Sequence, residues 1–133
     1  MKNDLREAAA QARLRAYAPY SGFLVGAALR LKSGTVVSGC NVENVSYGLT
    51  MCAERVCVGK AIDQGEKAFQ ALAIVADTDT PVVPCGACRQ VLAEFAPKLV
   101  ITSWTLTGES KEFALTDLFP LPNLGIPQVP RGT

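Results

Sequence analysis

The order in which strand-like and helical segments follow one another restricts the folds open to this 133-residue chain. Short apolar runs rich in Val, Leu and Ala have the length of strands, and other segments repeat apolar residues every three or four positions. After a first helix, this pattern predicts the order β-β-α-β-α-β-β. Such an order is typical of a three-layer α-β-α sandwich around a mixed five-stranded sheet. The predicted helices span about 4–15, 52–64 and 86–95, and the predicted strands span 23–31, 35–39, 70–76, 99–102 and 104–107.

Turn and breaker residues mark the limits of these elements. The turn at 32–34 separates the first two strands and predicts a hairpin, and residues 108–110 predict a second turn. Beyond Phe119 four prolines fall within eleven residues, which excludes a regular helix or strand there. We therefore predict a single domain over residues 1–133, with a proline-rich C-terminal arm from about residue 120.

Composition disfavours several classes of partner. Thirteen Lys and Arg against twelve Asp and Glu give a net charge of +1, and the charges are mixed along the chain. A nucleic-acid partner is disfavoured, because phosphate binding requires a positive surface. No apolar run approaches the ~20 residues of a membrane span, and the first residues lack the apolar core of a signal peptide. We therefore expect a cytoplasmic protein with no membrane partner and with its five cysteines reduced.

The sequence contains no histidine. Every mechanism that requires an imidazole base is thereby excluded, including the serine and cysteine triads. Acid and base chemistry must then fall to a carboxylate. The odd number of cysteines, which need no disulfide partners in a reducing compartment, indicates metal binding or catalysis.

Two of the cysteines stand three residues apart at the start of the third predicted helix. Cys85 and Cys88 therefore lie on one edge of its first turn, where one metal ion can reach both sulfurs. The positive end of the helix dipole and the free N–H groups lower the pKa of a thiol in this position. By itself, this spacing is equally typical of zinc binding and of a thioredoxin-like redox pair.

A third thiol, Cys52, opens the second predicted helix, and the carboxylate of Glu54 follows two residues later. Three thiolates fill three of the four tetrahedral positions of Zn²⁺ and leave the fourth to water, which is typical of catalytic zinc. Cys52, Cys85 and Cys88 are therefore the predicted ligands of one Zn²⁺ per chain. Without histidine, Glu54 is the predicted catalytic proton carrier, and it must not be a metal ligand.

Charge balance gives Arg55 a predicted role beside the metal ligands. Three thiolates and one Zn²⁺ sum to one negative charge, which weakens the metal as a Lewis acid. A guanidinium that donates to the ligand sulfurs would offset this excess. The competing interpretation is that Arg55 and Arg89 are ordinary surface charges.

A structural zinc site with four cysteine ligands, in a non-catalytic module that binds a protein or a nucleic acid, is the main alternative. Cys40 is then the candidate fourth ligand. Cys57 is a poor candidate, because it lies five residues after Cys52 and about 140° around the helix from it. Both Cys40 and Cys57 also fit the role of small, buried apolar residues.

The cysteine motifs, read with their neighbours, are Cys52-Ala53-Glu54-Arg55 and Pro84-Cys85-Gly86-Ala87-Cys88-Arg89-Gln90. Two further segments, 17–29 and 39–50, read YAPYSGFLVGAAL and GCNVENVSYGLT. Together they resemble the short, three-cysteine class of the zinc-dependent cytidine deaminases. This resemblance implies the three-layer α-β-α fold and one bound Zn²⁺ per chain. It also implies hydrolytic deamination of cytidine and 2′-deoxycytidine in pyrimidine salvage. It also implies a homotetramer with active sites at subunit contacts.

The resemblance further assigns substrate contacts. It implies that Asn41 and Glu43 hydrogen-bond the ribose 3′-hydroxyl, and that Phe23 lies against the pyrimidine and the sugar. It also implies that backbone groups of Ala53 reach the base and that Tyr47 reaches the site of a neighbouring subunit. Deaminases of blasticidin-like antibiotics share both metal motifs, but the Asn41 and Glu43 pair and the Phe23-x-Val25-Gly26 segment favour a nucleoside.

The C-terminal sequence departs from the family pattern. Many relatives carry a Phe a few residues after Leu-Leu-Pro, whereas residues 118–124 read LFPLPNL in this chain. Leu124 and Phe119 are therefore the two candidates to replace this aromatic substrate contact.

Overall fold

The structure, a computed structural model, describes residues 2–123, with side chains from residue 4 onward. None of the helices in this range is long and apolar enough to cross a membrane. The predicted C-terminal arm falls mainly on residues 124–133, outside the described part of the chain. The helices are α1 Lys2–Arg13, α2 Ala53–Asp63, α3 Gly86–Phe95 and α4 Leu115–Leu118, with a 3₁₀ turn at Tyr47–Leu49; the strands are β1 Val25–Leu31, β2 Val36–Cys40, β3 Phe69–Ala76, β4 Val100–Thr105 and β5 Ser110–Ala114.

The five strands form a mixed sheet in the order β2-β1-β3-β4-β5, which confirms the predicted fold class. β1 is antiparallel to β2 and β3, β3 is parallel to β4, and β4 is antiparallel to β5. The parallel pair requires a crossover connection, and α3 lies in it. The registers Gly26–Cys40, Val25–Ala76 and Ala76–Thr105 bring the ends of β2, β3 and β4 to one end of the sheet. We call it the carboxyl end of the sheet.

Different helices cover the two faces of the sheet, because successive residues of a strand point to opposite faces. On one face, Leu5 and Ala9 of α1 pack against Ala28, Ala73 and Val75. On the other face, α2 and α3 cover the main core. Its fully buried large side chains include Leu29, Leu31, Leu72, Ile74, Leu92 and Ile101. Helix, sheet and helix thus form the predicted three layers.

Two glycines allow helices to lie very close to the sheet. A Cβ atom on Gly26 would lie 1.9 Å from the carbonyl oxygen of Ala9, so α1 rests directly on β1. A Cβ atom on Gly39 would lie 2.9 Å from the carbonyl oxygen of Ala53 and 3.0 Å from the Val56 side chain. Gly39 therefore determines how closely the first turn of α2 approaches β2.

The prediction of two separate strands at 99–102 and 104–107 is wrong. A single strand, β4, continues through Ser103, and β5 begins only after the turn at Gly108. The side chain of Ser103 is buried, whereas that of Trp104 packs on the opposite face, in the α1 cluster. This alternation continues the pleat, so a polar residue at 103 does not end the strand. Gly108 has φ of 100°, which places the turn there.

Candidate active site

The segments that carry the predicted site residues meet at the carboxyl end of the sheet. The segment before β1, the segment after β2 and the connection after β3 all lie there, because these strands are paired in register. An isolated bridge joins Tyr17 to Val42, and Val42 also pairs with Met51 just before α2. Helices α2 and α3 therefore both begin at the carboxyl end of the sheet.

The sulfur atoms of Cys52, Cys85 and Cys88 form one group. The Sγ of Cys85 lies 3.7 Å from that of Cys52 and 3.4 Å from that of Cys88, and all three lie within 4.8 Å of one another. Tetrahedral zinc with Zn–S bonds of ~2.3 Å separates its sulfur ligands by about 3.8 Å. The three cysteines therefore fit one Zn²⁺, as the spacing predicts.

Both ligand motifs lie at helix N-termini, where backbone N–H groups lack partners within the helix. Cys52 and Cys85 are the N-cap residues of α2 and α3, and both have an extended backbone. The Sγ of Cys85 accepts a hydrogen bond of 3.5 Å from the backbone N–H of Cys88. Because both helix dipoles favour negative charge at this point, two helices stabilise thiolates in one place.

The thiols differ in how readily they ionise. The hydrogen bond from Cys88 lowers the pKa of Cys52 to about 5, with smaller contributions from Cys85 and Arg55 and an opposing effect of burial. The same bond, together with burial, raises the pKa of Cys88. The Cys52 and Cys88 pair thus favours one thiolate with an S–H donor beside it, and a metal ion takes the place of such protons on binding.

Glu54 lies in the first turn of α2, and only 6% of the residue is exposed. Burial raises the pKa of its carboxyl group to about 7, and the charge of Cys52 adds to this effect. Within the described residues, the group that fits a metal contains the three cysteines and not this carboxyl group. Glu54 thus lies outside the sulfur group, and its raised pKa is of the kind that a general acid–base needs near neutral pH.

Neither of the remaining cysteines belongs to the sulfur group. Cys57 is fully buried in α2, and burial raises its pKa to about 12. Cys40 ends β2 and is half-buried. The fourth sulfur that a structural four-cysteine site requires is thus absent from the group that the described residues form.

The Arg55 side chain lies against the sulfur group. Its Nη2 donates a hydrogen bond of 2.7 Å to the carbonyl oxygen of Thr50. Burial acts to lower its pKa, but contact with Cys52 and the charges of the three thiols raise the pKa overall. Its Nε is buried and lacks a hydrogen-bond partner among residues 4–123. The guanidinium is thus held at the negative centre of the site.

Comparison with known proteins identifies the family. The model of the cytidine and deoxycytidylate deaminase zinc-binding region matches residues 1–104. The chain belongs to this deaminase family.

Individual relatives of this deaminase agree with that assignment. The cytidine deaminase of Halalkalibacterium halodurans is 51% identical over 113 residues, which cover 84% of this chain and 86% of that protein. The crystal structure of cytidine deaminase from Burkholderia pseudomallei matches with a TM-score of 0.89 and 45% identity, covering 92% of this chain and 99% of that one. A blasticidin-S deaminase from Bacillus cereus is 31% identical over 105 residues, which cover 73% of this chain and 74% of that protein.

In this deaminase, the buried side chain of Asn41 holds the start of β1. Its Oδ1 accepts a hydrogen bond of 2.9 Å from the backbone N–H of Val25, and its Nδ2 donates one of 2.8 Å to the carbonyl oxygen of Phe23. The side chain of Phe23 is exposed at the same end of the sheet. Asn41 therefore fixes the backbone that carries Phe23.

The carboxylate of Glu43 holds the neighbouring part of the same segment. Its Oε1 accepts hydrogen bonds from the backbone N–H groups of Tyr20 and Ser21, at 3.0 and 3.1 Å. Its Oε2 accepts a hydrogen bond from the Ser21 hydroxyl. The bond from the Ser21 hydroxyl lowers the pKa of Glu43 most, and the two backbone bonds lower it further against some desolvation.

The two remaining residues with predicted substrate contacts differ in exposure. Ala53 is fully buried in the first turn of α2, so its backbone is what it can offer a ligand. Tyr47 lies on the 3₁₀ turn and is 72% exposed. Its ring meets that of Tyr20 edge to face, with 6.1 Å between the centroids. The deaminase thus has an aromatic pair at the carboxyl end of the sheet.

Arg89 has a structural role that the sequence does not indicate. Its Nε donates a hydrogen bond of 2.8 Å to the carbonyl oxygen of Pro84, and its Nη1 donates one of 3.0 Å to that of Leu118. The side chain therefore ties the residue before Cys85 to the end of α4, and the interpretation of Arg89 as a surface charge is wrong. Both acceptors are backbone carbonyls, and Leu118 is 29 residues away, so no local motif reveals these bonds.

Proposed function

We propose that this protein hydrolyses the exocyclic amine of cytidine and 2′-deoxycytidine, giving uridine or 2′-deoxyuridine and ammonia, in pyrimidine salvage. The observation that carries the proposal is the three-sulfur group at two helix N-termini with a buried, unligated carboxyl group next to it. Membership in the deaminase family and the relatives named cytidine deaminase support it.

Cys52, Cys85 and Cys88 would hold one Zn²⁺ per chain. When bound, Zn²⁺ supplies a Lewis acid that lowers the pKa of a water molecule to about 7. Because Cys40 and Cys57 lie outside the sulfur group, the residues present would hold the metal with three sulfurs and would leave room for a water ligand. The exposed position of Cys85 fits a site that substrate reaches from solvent.

Glu54 moves the protons of the reaction. Its carboxylate accepts one proton from the attacking water and delivers it to N3 of the base, while the water oxygen bonds to C4. A second proton from the same water passes through Glu54 to the exocyclic amine. The C4–N4 bond then breaks and ammonia leaves. Both protons come from water, so Glu54 ends the cycle in the state in which it began.

Arg55 offsets the excess negative charge of three thiolates around one divalent cation. Contact with Cys52 raises the pKa of the Arg55 guanidinium, and the same contact lowers the pKa of the Cys52 thiol. Each group therefore stabilises the charged form of the other. Partial neutralisation of the sulfurs preserves the strength of the metal as a Lewis acid.

The proposed substrate contacts lie on the segments that meet at the carboxyl end of the sheet. Asn41 and Glu43 would bind the ribose 3′-hydroxyl, since an amide and a carboxylate each engage a hydroxyl group. Phe23 would lie against the base and sugar, Ala53 would offer backbone groups to the base, and Tyr47 would reach a neighbouring subunit. This set, and the greater similarity to cytidine deaminases than to a blasticidin-S deaminase, favours a nucleoside substrate.

We also propose a homotetramer in the cytoplasm, with active sites at subunit contacts. Apolar side chains with large exposed fractions lie on the segment that leads from β2 to Cys52. They include Val45, Tyr47, Leu49 and Met51. Contact with another subunit would remove this surface from water. The cytoplasm keeps thiols reduced, which suits the free cysteines of the described chain.

The proposal is tested by incubating zinc-loaded protein with cytidine and following conversion to uridine. Glu54→Gln keeps the size and polarity of the side chain but removes its proton-carrying carboxylate. We expect turnover to fall by at least about 10²–10⁴-fold, the usual contribution of a general acid–base. Zinc content and the unfolding temperature should stay near those of the wild type. Glu7→Gln, an exposed carboxylate on α1, is the matched control and should be fully active.

Two outcomes would overturn the proposal. Retained turnover in Glu54→Gln would refute the proton-carrier role. Inactive wild-type protein with one Zn²⁺ per chain would instead favour the non-catalytic zinc module.

A further inference from the structure

The Ser21 hydroxyl lies between two residues with predicted substrate contacts. It donates a hydrogen bond to Oε2 of Glu43, and it accepts one of 3.0 Å from the backbone N–H of Phe23. One hydroxyl group is therefore bonded both to the carboxylate proposed to bind the sugar and to the residue proposed to lie against it.

The hydrogen bonds of Glu43 leave it one acceptor position. An ionised carboxylate has about four lone-pair sites, two on each oxygen. The backbone N–H groups of Tyr20 and Ser21 take the two sites on Oε1, and the Ser21 hydroxyl takes one of the two on Oε2. Among the described contacts, the remaining acceptor site is thus on the oxygen that Ser21 orients.

The direction of this remaining site depends on Ser21. The two backbone hydrogen bonds hold only Oε1 of Glu43. A donor on each oxygen restricts rotation of the carboxylate about the Cγ–Cδ bond more tightly than two donors on one oxygen. The hydroxyl also favours the ionised form of Glu43, because its hydrogen bond is the largest influence that lowers the carboxyl pKa. An ionised carboxylate accepts from a sugar hydroxyl and has no proton to donate to it.

We propose that Ser21 is a positioning residue for recognition of the sugar, because its hydroxyl directs the free acceptor of Glu43 toward the ribose 3′-hydroxyl. The inference rests on the proposed function. The positioning role of Ser21 differs from a role in folding. When its hydroxyl is removed, the backbone hydrogen bonds to Glu43 and both hydrogen bonds of Asn41 remain.

The test compares substrates that differ only in the group that Glu43 would bind. Wild type, Ser21→Ala and Ser21→Thr are each assayed with cytidine and with 3′-deoxycytidine. For Ser21→Ala we expect KM for cytidine to rise about tenfold, as for weakening of one charge-assisted hydrogen bond, with kcat within about twofold. With 3′-deoxycytidine, Ser21→Ala should match the wild type, since the group recognised through Ser21 is missing.

Two controls separate positioning from a general disturbance. Ser21→Thr keeps the hydroxyl on an exposed residue and should restore the wild-type KM. Ser33→Ala removes a hydroxyl that hydrogen-bonds Thr35 in the β1–β2 turn, and it should leave both substrates unaffected. Dissociation constants for uridine and 3′-deoxyuridine give the same comparison without turnover.

Equal losses on both substrates, an unchanged KM for cytidine, or failure of Ser21→Thr to restore it would each overturn the inference. In all three cases an active wild type leaves the proposed function standing. Zinc-loaded wild type that does not convert cytidine would overturn the proposed function, and this inference with it.

Discussion

Three thiolates around one Zn²⁺ carry one negative charge more than the metal neutralises, and the Arg55 guanidinium lies against them. For Arg55→Gln we expect turnover to fall about 10–100-fold, the usual effect of removing a group that supports metal ligands. The acid limb of the pH profile should move to higher pH, because water on a more negative site ionises less readily. Turnover measured against pH checks both effects.

The control for this substitution is Arg15→Gln, which removes an exposed guanidinium with two long hydrogen bonds of 3.4 and 3.5 Å. It should leave turnover and its pH profile unchanged. If Arg55→Gln behaved in the same way, the charge-offset role would have to be abandoned.

Residues whose candidate roles follow from local spacing were the easiest to single out in the sequence. Single helical turns contain Cys52 with Glu54, and Cys85 with Cys88. The spacing alone therefore indicates their chemistry, without knowledge of the fold. Ser21 and Arg89 act through atoms 22 and 29 residues away, respectively. Their partners meet only after the sheet forms, and neither side chain carries a local signature of this role.

At the scale of helices and strands, Gly39 controls where α2 begins. A methyl group at this position would lie 2.9 Å from the carbonyl oxygen of Ala53, so the first turn of α2, with Cys52 and Glu54, must move. We expect Gly39→Ala to destabilise the fold by about 1–3 kcal/mol, as overpacking usually does, and to lower zinc affinity. Urea unfolding and competition with a zinc chelator measure the two effects.

Gly59 supplies a matched control within the same helix. A Cβ atom there meets no neighbour within 4 Å, and Ala is favoured over Gly in a helix by about 1 kcal/mol. Gly59→Ala should therefore be neutral or stabilising and should keep zinc affinity. Equal effects of the two substitutions would refute a specific role for Gly39 in placing α2.

Element boundaries were predictable where strong breakers flank them. The predicted span of α3 is identical to the observed one, because Cys85 caps its start and Pro97 follows its end. The boundary between β4 and β5 was not predictable, because Ser103 resembles a loop residue in sequence but is buried in the sheet. Burial of a single hydroxyl is a property of the packed sheet, and local propensity does not report it.

The whole molecule brings together thiols that are 33 residues apart, since β3 leads from α2 to a connection that returns the chain to the same end of the sheet. The order of elements predicted the layers, because each helix must bury one face. It did not predict the strand order or the registers, which arise from long-range pairing. The single domain over residues 1–133 and the C-terminal arm from about residue 120 stay predictions.

At the same scale, the near-zero net charge fits a small nucleoside better than a polynucleotide. The exposed apolar residues of the segment before Cys52 fit a contact between subunits. The homotetramer therefore remains part of the proposal, and the single chain contributes the sulfur group, Glu54 and Arg55 to each site.

The central claim is that zinc is held by three sulfurs, with its fourth position free of protein ligands and with Glu54 unligated. X-ray absorption at the zinc edge, on wild-type and Cys40→Ser protein, measures this directly. We expect one zinc per chain with three sulfur neighbours at ~2.3 Å and one oxygen at ~2.0 Å, and the same spectrum for Cys40→Ser. Four sulfur neighbours in the wild type, or loss of zinc from Cys40→Ser, would contradict this claim.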